Sequence, residues 1–127
     1  SAEWVTGTTD YVANVDGILW VDDLKTGMMF DSQPEDMGQM FLYSLCWSKY
    51  WRMEKDVRVS ITHWPKYPLQ ALPVRTENVI TWKRLKKFDN YLCDLYSKHR
   101  DGKDVFALGA ECEYCPAITN CPLQHKE

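Results

Sequence analysis

Asp10-Tyr11-Val12-Ala13-Asn14-Val15-Asp16-Gly17-Ile18-Leu19-Trp20-Val21-Asp22-Asp23-Leu24-Lys25-Thr26-Gly27 is the stretch on which the fold turns. Residues 4–15 read as an extended segment with partial alternation, and Asp16-Gly17 is a turn pair that tight hairpins favour. Ile18-Leu19-Trp20-Val21 continues as a second strand that ends in Asp22–Gly27. Asp10 thus lies on one arm of a hairpin, and Asp23-Leu24-Lys25 lies near the end of the other.

Outward from the hairpin, Pro34-Glu35-Asp36 supplies first-turn residues for a helix over 34–50, with Met37, Met40, Phe41, Leu45 and Cys46 at roughly helical spacing. Cys46 is expected in the core. Val57, Val59 and Ile61 alternate with Arg58, Ser60 and Thr62, the pattern of a half-buried strand. Pro65, Pro68 and Pro73 break the next segment into loop. A second helix is predicted from Thr76, as N-cap, to about His99, with Val79, Trp82, Leu85, Leu92 and Leu95 as its buried stripe. Asp101-Gly102 ends it. The order strand, strand, helix, strand, helix, followed by a cysteine-rich knuckle, defines a mixed α/β (α+β) single domain over residues 1–127.

The 127 residues are 45% hydrophobic and include six Trp and seven Tyr, enough for a packed core and too apolar for disorder. No run approaches the ~20 apolar residues of a membrane helix, and Ser1-Ala2-Glu3-Trp4 lacks the basic and apolar regions of a signal peptide. The net charge of −3 is uneven: residues 1–50 hold eight acidic side chains against Lys25 and Lys49, and the remainder is net basic. That balance suits cations held beside a phosphate backbone, and equally a protein with no such partner.

Asp23 and Lys25 are two apart, so on a strand both project to one face, and Asp22 and Leu24 to the other. A carboxylate beside an ammonium can hold a divalent cation while the lysine polarises a water or steadies charge on a phosphate. Asp10, from the neighbouring arm, can add a second carboxylate, and Mg²⁺ needs few such ligands. As a bare pattern, Asp-x-Lys also fits a solvated strand end with a local ion pair. Gly7 and Gly27 permit close approach of a phosphate backbone. Gln39 and Tyr43 share a helix face, from which they can hydrogen-bond the water, the lysine or a phosphate.

Four ordered motifs over residues 4–123 resemble the RecB-like exonuclease branch of the PD-(D/E)XK superfamily, especially its phage-associated members with a cysteine motif. Gly7-Thr8-Thr9-Asp10 resembles the glycine-led segment ending in the first metal-binding aspartate. Val21-Asp22-Asp23-Leu24-Lys25-Thr26-Gly27 resembles the second signature, with Leu24 replacing an aromatic and expected to pack inward. Gln39–Tyr43 resembles the Gln-x-x-x-Tyr helix motif. Cys112-Glu113-Tyr114-Cys115-Pro116, with Cys121-Pro122, resembles the Cys-x₂-Cys-x₅-Cys motif that helps bind a [4Fe–4S] cluster.

The resemblance implies a restriction-endonuclease-like core and Mg²⁺- or Mn²⁺-dependent hydrolysis of DNA phosphodiesters. The cutting would be commonly exonucleolytic, in recombination, repair or phage replication within the bacterial cytoplasm. Asp10, Asp23, Lys25, Gln39 and Tyr43 would be catalytic, with Asp10 and Asp23 as metal ligands. Such proteins normally open with a helix, often carrying a glutamate, and have an upstream cysteine as fourth cluster ligand. Glu3 stands too isolated to supply that helix, which this sequence is expected to lack.

Five cysteines, three of them in the last sixteen residues, suit metal ligation better than a disulfide scaffold. Cys112, Cys115 and Cys121 would need a fourth donor for a cluster or for Zn²⁺, the candidates being Cys93, Cys46, His99 and His125. An unmetallated tail is the remaining possibility. Lys83, Lys86 and Lys87 share a face of the second helix and are candidate contacts to DNA phosphates, or else a solubilising face. Trp47, Tyr50 and Trp51 read as core or a subunit interface before base-stacking groups. His63 shares parity with Val59 and Ile61, which makes it a satisfied or part-buried histidine.

DNA is the expected partner, together with a recombination or phage protein or a second copy of the chain, and no membrane. Two other classes stay open: a non-cutting nuclease-fold accessory module that binds DNA, and a zinc-knuckle interaction domain.

Overall fold

The computed structural model describes residues 7–27, 33–65, 72–103 and 109–123. Glu3, Pro68 and His125 lie outside them. The chain divides into two compact units, residues 1–91 and 92–127, and the architecture is mixed α/β.

In the first unit, β1 (Tyr11–Val15) and β2 (Ile18–Gly27) form an antiparallel hairpin. Its two-residue turn places Asp16 at φ 52° and Gly17 at φ 76°, the left-handed pair that matches the twist of the strands. Gly17→Ala puts a Cβ into that conformation and is expected to destabilise the protein by about 1 kcal/mol. A urea midpoint equal to that of the wild type would contradict this.

A 3-10 turn (Pro34–Asp36) and α1 (Gly38–Tyr50) lead to β3 (Val57–Pro65), which pairs with β2 in parallel. The expected single helix over 34–50 is therefore two elements, separated at Met37, whose extended backbone (ψ 124°) interrupts it. Pro65 closes β3, as a proline at a strand end can, and residues 66–71 of the expected loop lie outside the described residues.

β4 (Val74–Ile80) is antiparallel to β3, completing a sheet of order β1-β2-β3-β4. This corrects the sequence reading, which placed Thr76 and Val79 in a helix. Thr76 pairs with Ile61, and Val79 with Arg58. The strand's β-branched residues fit a pleated surface, and pairing with a buried neighbour outweighs the local cap-like pattern. α2 (Trp82–Arg100) starts two residues after the strand. Thr81 Oγ1 accepts the Arg84 N–H at 3.3 Å, and Asp56 Oδ1 accepts that of Trp82 at 2.8 Å, so Thr81 takes the capping role expected of Thr76.

One sheet face carries Leu19, Val21, Asp23, Val57, Val59, Ile61, His63 and Ile80, all buried. Met40, Ser44, Leu45 and Ser48 of α1 are buried too, at helical spacing, together with Leu85 of α2. Phe41 and Phe88, with ring centroids 5.3 Å apart, join the two helices, as does an ion pair from Lys49 to Asp89 at 3.0 Å.

The opposite face holds Trp20 beneath the guanidinium groups of Arg58 and Arg75 (4.9 and 5.7 Å). Leu24 belongs to this face and is 50% exposed, not packed inward as expected. Strand alternation forces that outcome once Asp23 and Lys25 point to the covered side. Cys46 is also exposed, on the flank of α1 away from its buried residues.

The second unit takes in α2 from Leu92. The helix ends at Arg100, where Gly102 adopts φ 72° and the Lys103 N–H returns to the Lys98 carbonyl (2.7 Å). Two 3-10 turns follow, Ala110–Tyr114 and Ile118–Asn120. No described helix is long and apolar enough to cross a membrane.

Candidate functional site

Hairpin register does most of the positioning. Tyr11 pairs with Asp22, so Asp10, one residue before, falls opposite Asp23. Asp10 Oδ2 accepts the Leu24 N–H at 2.8 Å, which anchors the carboxylate between Asp23 and Lys25. Asp10 itself is exposed, whereas Asp23 is 3% exposed.

Lys25 Nζ lies 2.7 Å from Asp23 Oδ2 and donates to Gln39 Oε1 at 3.3 Å. Gln39 Nε2 in turn donates to the Tyr43 hydroxyl at 2.9 Å. The five residues expected to act together are therefore brought together: two acids and a lysine from the hairpin, an amide and a phenol from α1. A Cβ at Gly7 would lie 3.3 Å from Tyr43 Cε1, so glycine lets the segment before Asp10 pass this ring.

Burial pushes the Asp23 carboxyl above its ordinary 3.8; the hydrogen bond and charge of Lys25 oppose the shift, and the nearby Asp10 carboxylate reinforces it. Asp23 Oδ2 is buried, and its partner is the Lys25 ammonium at 2.7 Å. A buried carboxylate next to a second carboxylate is a donor set that fits a divalent cation completed by waters and substrate oxygens.

Two residues on the sheet have roles the sequence reading did not find. His63 is paired across the strands with Lys25 and shares its face. Of the satisfied or part-buried histidine expected, the burial holds, at 6% exposure, but neither ring nitrogen has a hydrogen-bond partner. Its parity signalled burial; its place opposite Lys25 depends on a parallel register that no local pattern encodes.

Asp22, on the other face, accepts hydrogen bonds from the hydroxyls of Ser60 and Thr62 (the latter at 2.9 Å) and lies 3.7 Å from Arg75 Nε. It ties three strands together and is not part of the acid pair.

Lys83, Lys86 and Lys87 are exposed on α2. Lys86 joins Lys49, Arg52 and Lys55 around a cavity of about 830 Å³ that also touches Asn14 and Gly17, at the turn end of the hairpin. Lys86 thus lies at the turn end of the hairpin, and the acids occupy the other end.

In the second unit, Cys112 lies within one 3-10 turn and Cys115 and Cys121 follow the two turns; the Gly109 N–H donates to Cys112 Sγ at 3.3 Å. These three cysteines form no disulfide. Among the described residues, no group of three or more His, Cys, Asp or Glu side chains is placed to hold a metal ion. Cys112, Cys115 and Cys121 are not among such a group. The acid pair, being two carboxylates, is a sparser kind of site.

A sheet with this parallel and antiparallel order, carrying paired acids and a lysine at one end of its hairpin, defines a nuclease-like class of α/β domain. The sequence model of the PD-(D/E)XK nuclease superfamily matches residues 4–122, and the chain belongs to that superfamily. No curated protein and no solved structure gives a significant match.

Proposed function

We propose that this protein hydrolyses DNA phosphodiester bonds with Mg²⁺ or Mn²⁺, using Asp10 and Asp23 to hold the cation. The observation that carries the proposal is the buried Asp23 carboxylate set beside Asp10 and ion-paired with Lys25. When bound, a divalent cation neutralises charge at the phosphate and acidifies a coordinated water. Lys25 carries positive charge to the same point and stabilises the negative charge that develops on the phosphate oxygens. Gln39 holds the Lys25 ammonium in place, and Tyr43 fixes the amide orientation of Gln39. Lys83, Lys86 and Lys87 give the strand sequence-independent phosphate contacts further from the acids.

The finer placement follows the four motifs: a RecB-like, phage-associated exonuclease acting in recombination or repair, with residues 109–123 as a C-terminal knuckle of one nuclease domain. The metal centre of that knuckle, [4Fe–4S] or Zn²⁺, rests on the spacing of Cys112, Cys115 and Cys121 alone. Iron, sulfide and zinc analysis of anaerobically prepared protein tests it, and a metal-free, folded protein would remove it.

End-labelled single- and double-stranded DNA tests the activity. The wild type is expected to release label in Mg²⁺ or Mn²⁺ and not in EDTA. Lys25→Met is expected to slow release by about 10²–10³-fold, the range for loss of one group that stabilises developing charge. No cleavage by folded wild type would sink the catalytic reading and favour a non-cutting DNA-binding module.

A further inference from the structure

A groove of about 770 Å³ opens beside the acid pair and takes no part in the steps above. One wall is the backbone segment from Gly7 to Val12; the other is Leu42, Tyr43, Cys46, Trp47 and Tyr50 of α1. Asp10 and Tyr43 belong both to this groove and to the acid–lysine–amide–phenol constellation, so the groove begins where the candidate cleavage centre ends.

Its chemistry is unlike that of a phosphate site. No lysine or arginine is among its lining residues, whereas the cavity at the turn end of the hairpin has four. Its aromatic wall is preorganised. Trp47 Nε1 donates to Thr9 Oγ1 at 3.1 Å, which pins the indole to the segment preceding Asp10. Trp51 stacks on Trp47, with centroids 5.0 Å apart and planes 30° apart. Tyr50 stands edge-on to both, at 5.3 and 5.6 Å, yet remains 72% exposed. A ring oriented by its neighbours but open to solvent is a ready stacking surface.

We propose that this groove receives an unpaired nucleobase next to the scissile phosphate, which makes single-stranded or end-frayed DNA the substrate and a closed duplex a poor one. The inference rests on the nuclease reading of Asp10 and Asp23. A strand whose phosphate lies at the acids carries its neighbouring nucleoside to the groove mouth, and walls that hold aromatic rings and the Asp10 carboxylate, with no cation, select the base over another phosphate. In a closed duplex both faces of each base are covered by stacking, so a base can enter only after it is unpaired. The groove volume lies within the ~300–1,000 Å³ typical of pockets for small organic ligands, adequate for one base and its sugar.

The test uses oligonucleotides with 2-aminopurine at successive positions, bound in EDTA or Ca²⁺, with cleavage in Mg²⁺ followed separately. Quenching is expected at one position near the cut site in single-stranded and frayed DNA, and not in a duplex closed by hairpins at both ends. Tyr50→Ala is expected to weaken single-strand binding about tenfold and Tyr50→Phe to retain it. Tyr50 is exposed, so neither change should unfold the protein; circular dichroism checks that. Binding and quenching indifferent to Tyr50→Ala, or equal binding of the closed duplex, would overturn the base site. If cleavage proceeds while Tyr50 has no effect, the base site fails and the nuclease reading stands. If Tyr50-dependent quenching occurs with no cleavage, the reverse holds.

Discussion

Asp23→Asn is expected to abolish metal-dependent DNA cleavage, by at least about 10³-fold, while making the metal-free protein more stable at neutral pH. The loss of activity follows from removing the buried donor of the acid pair. The gain in stability follows from burial: an ionised carboxylate at 3% exposure pays for desolvation that Lys25 only partly offsets, so its pKa is raised above 3.8. The native state then holds a proton that the unfolded chain releases near pH 4. Asp23's favourable contribution is fully present below the unfolded pKa and is lost as pH rises through the raised native value. Denaturant midpoints of the metal-free wild type should decline across that window, and those of the Asp23→Asn protein should decline less. Mg²⁺ or Mn²⁺ should restore the wild type's stability at neutral pH and leave the variant unmoved. A variant less stable than the wild type without metal would show that Asp23 is a structural ion-pair partner of Lys25, not a destabilised ligand.

Asp22→Ala should act in the opposite way, as a large loss of stability. One carboxylate oxygen accepts the Ser60 and Thr62 hydroxyls, and Arg75 stands 3.7 Å from it, itself 3.1 Å from Glu77. Removing the acceptor leaves the Ser60 hydroxyl, in a residue only 2% exposed, without that partner. It also leaves the guanidinium that lies over Trp20 with Glu77 as its remaining carboxylate. The expected cost is about 2–3 kcal/mol, the scale of charge-assisted hydrogen bonds and of a buried group left unsatisfied. It should appear as a lower midpoint in urea, with DNA cleavage retained at temperatures where the variant is folded. Adjacent aspartates are thereby assigned opposite work: Asp22→Ala should unfold, and Asp23→Asn should inactivate. Unchanged stability in Asp22→Ala would mean that solvent replaces the network at no cost.

The hairpin and the acid site were legible in the sequence to an unusual depth because both are local. Asp16-Gly17 specifies a two-residue turn, and that turn fixes the register that sets Asp10 opposite Asp23. Strand alternation then puts Asp23 and Lys25 on one face, and helical spacing puts Gln39 and Tyr43 on another. What joins the two sets, the 3.3 Å contact from Lys25 to Gln39, depends on how α1 crosses from β2 to β3.

Tertiary structure alone decided the rest, for one physical reason: strand pairing and burial are set by neighbours distant in the chain. Val74–Ile80 carried a cap-like threonine and helix-compatible residues, yet β3 offered an unpaired edge, and pairing with it made a fourth strand. Leu24, expected to pack inward, was left on the open face, while Asp22, to which the sequence assigned no role, found two hydroxyls on β3. Tyr50, read as core or a subunit interface, is exposed at the rim of a groove whose other wall lies some forty residues earlier in the chain. Composition and spacing determined which chemistry this protein can carry; long-range packing decided which copy of each residue type carries it.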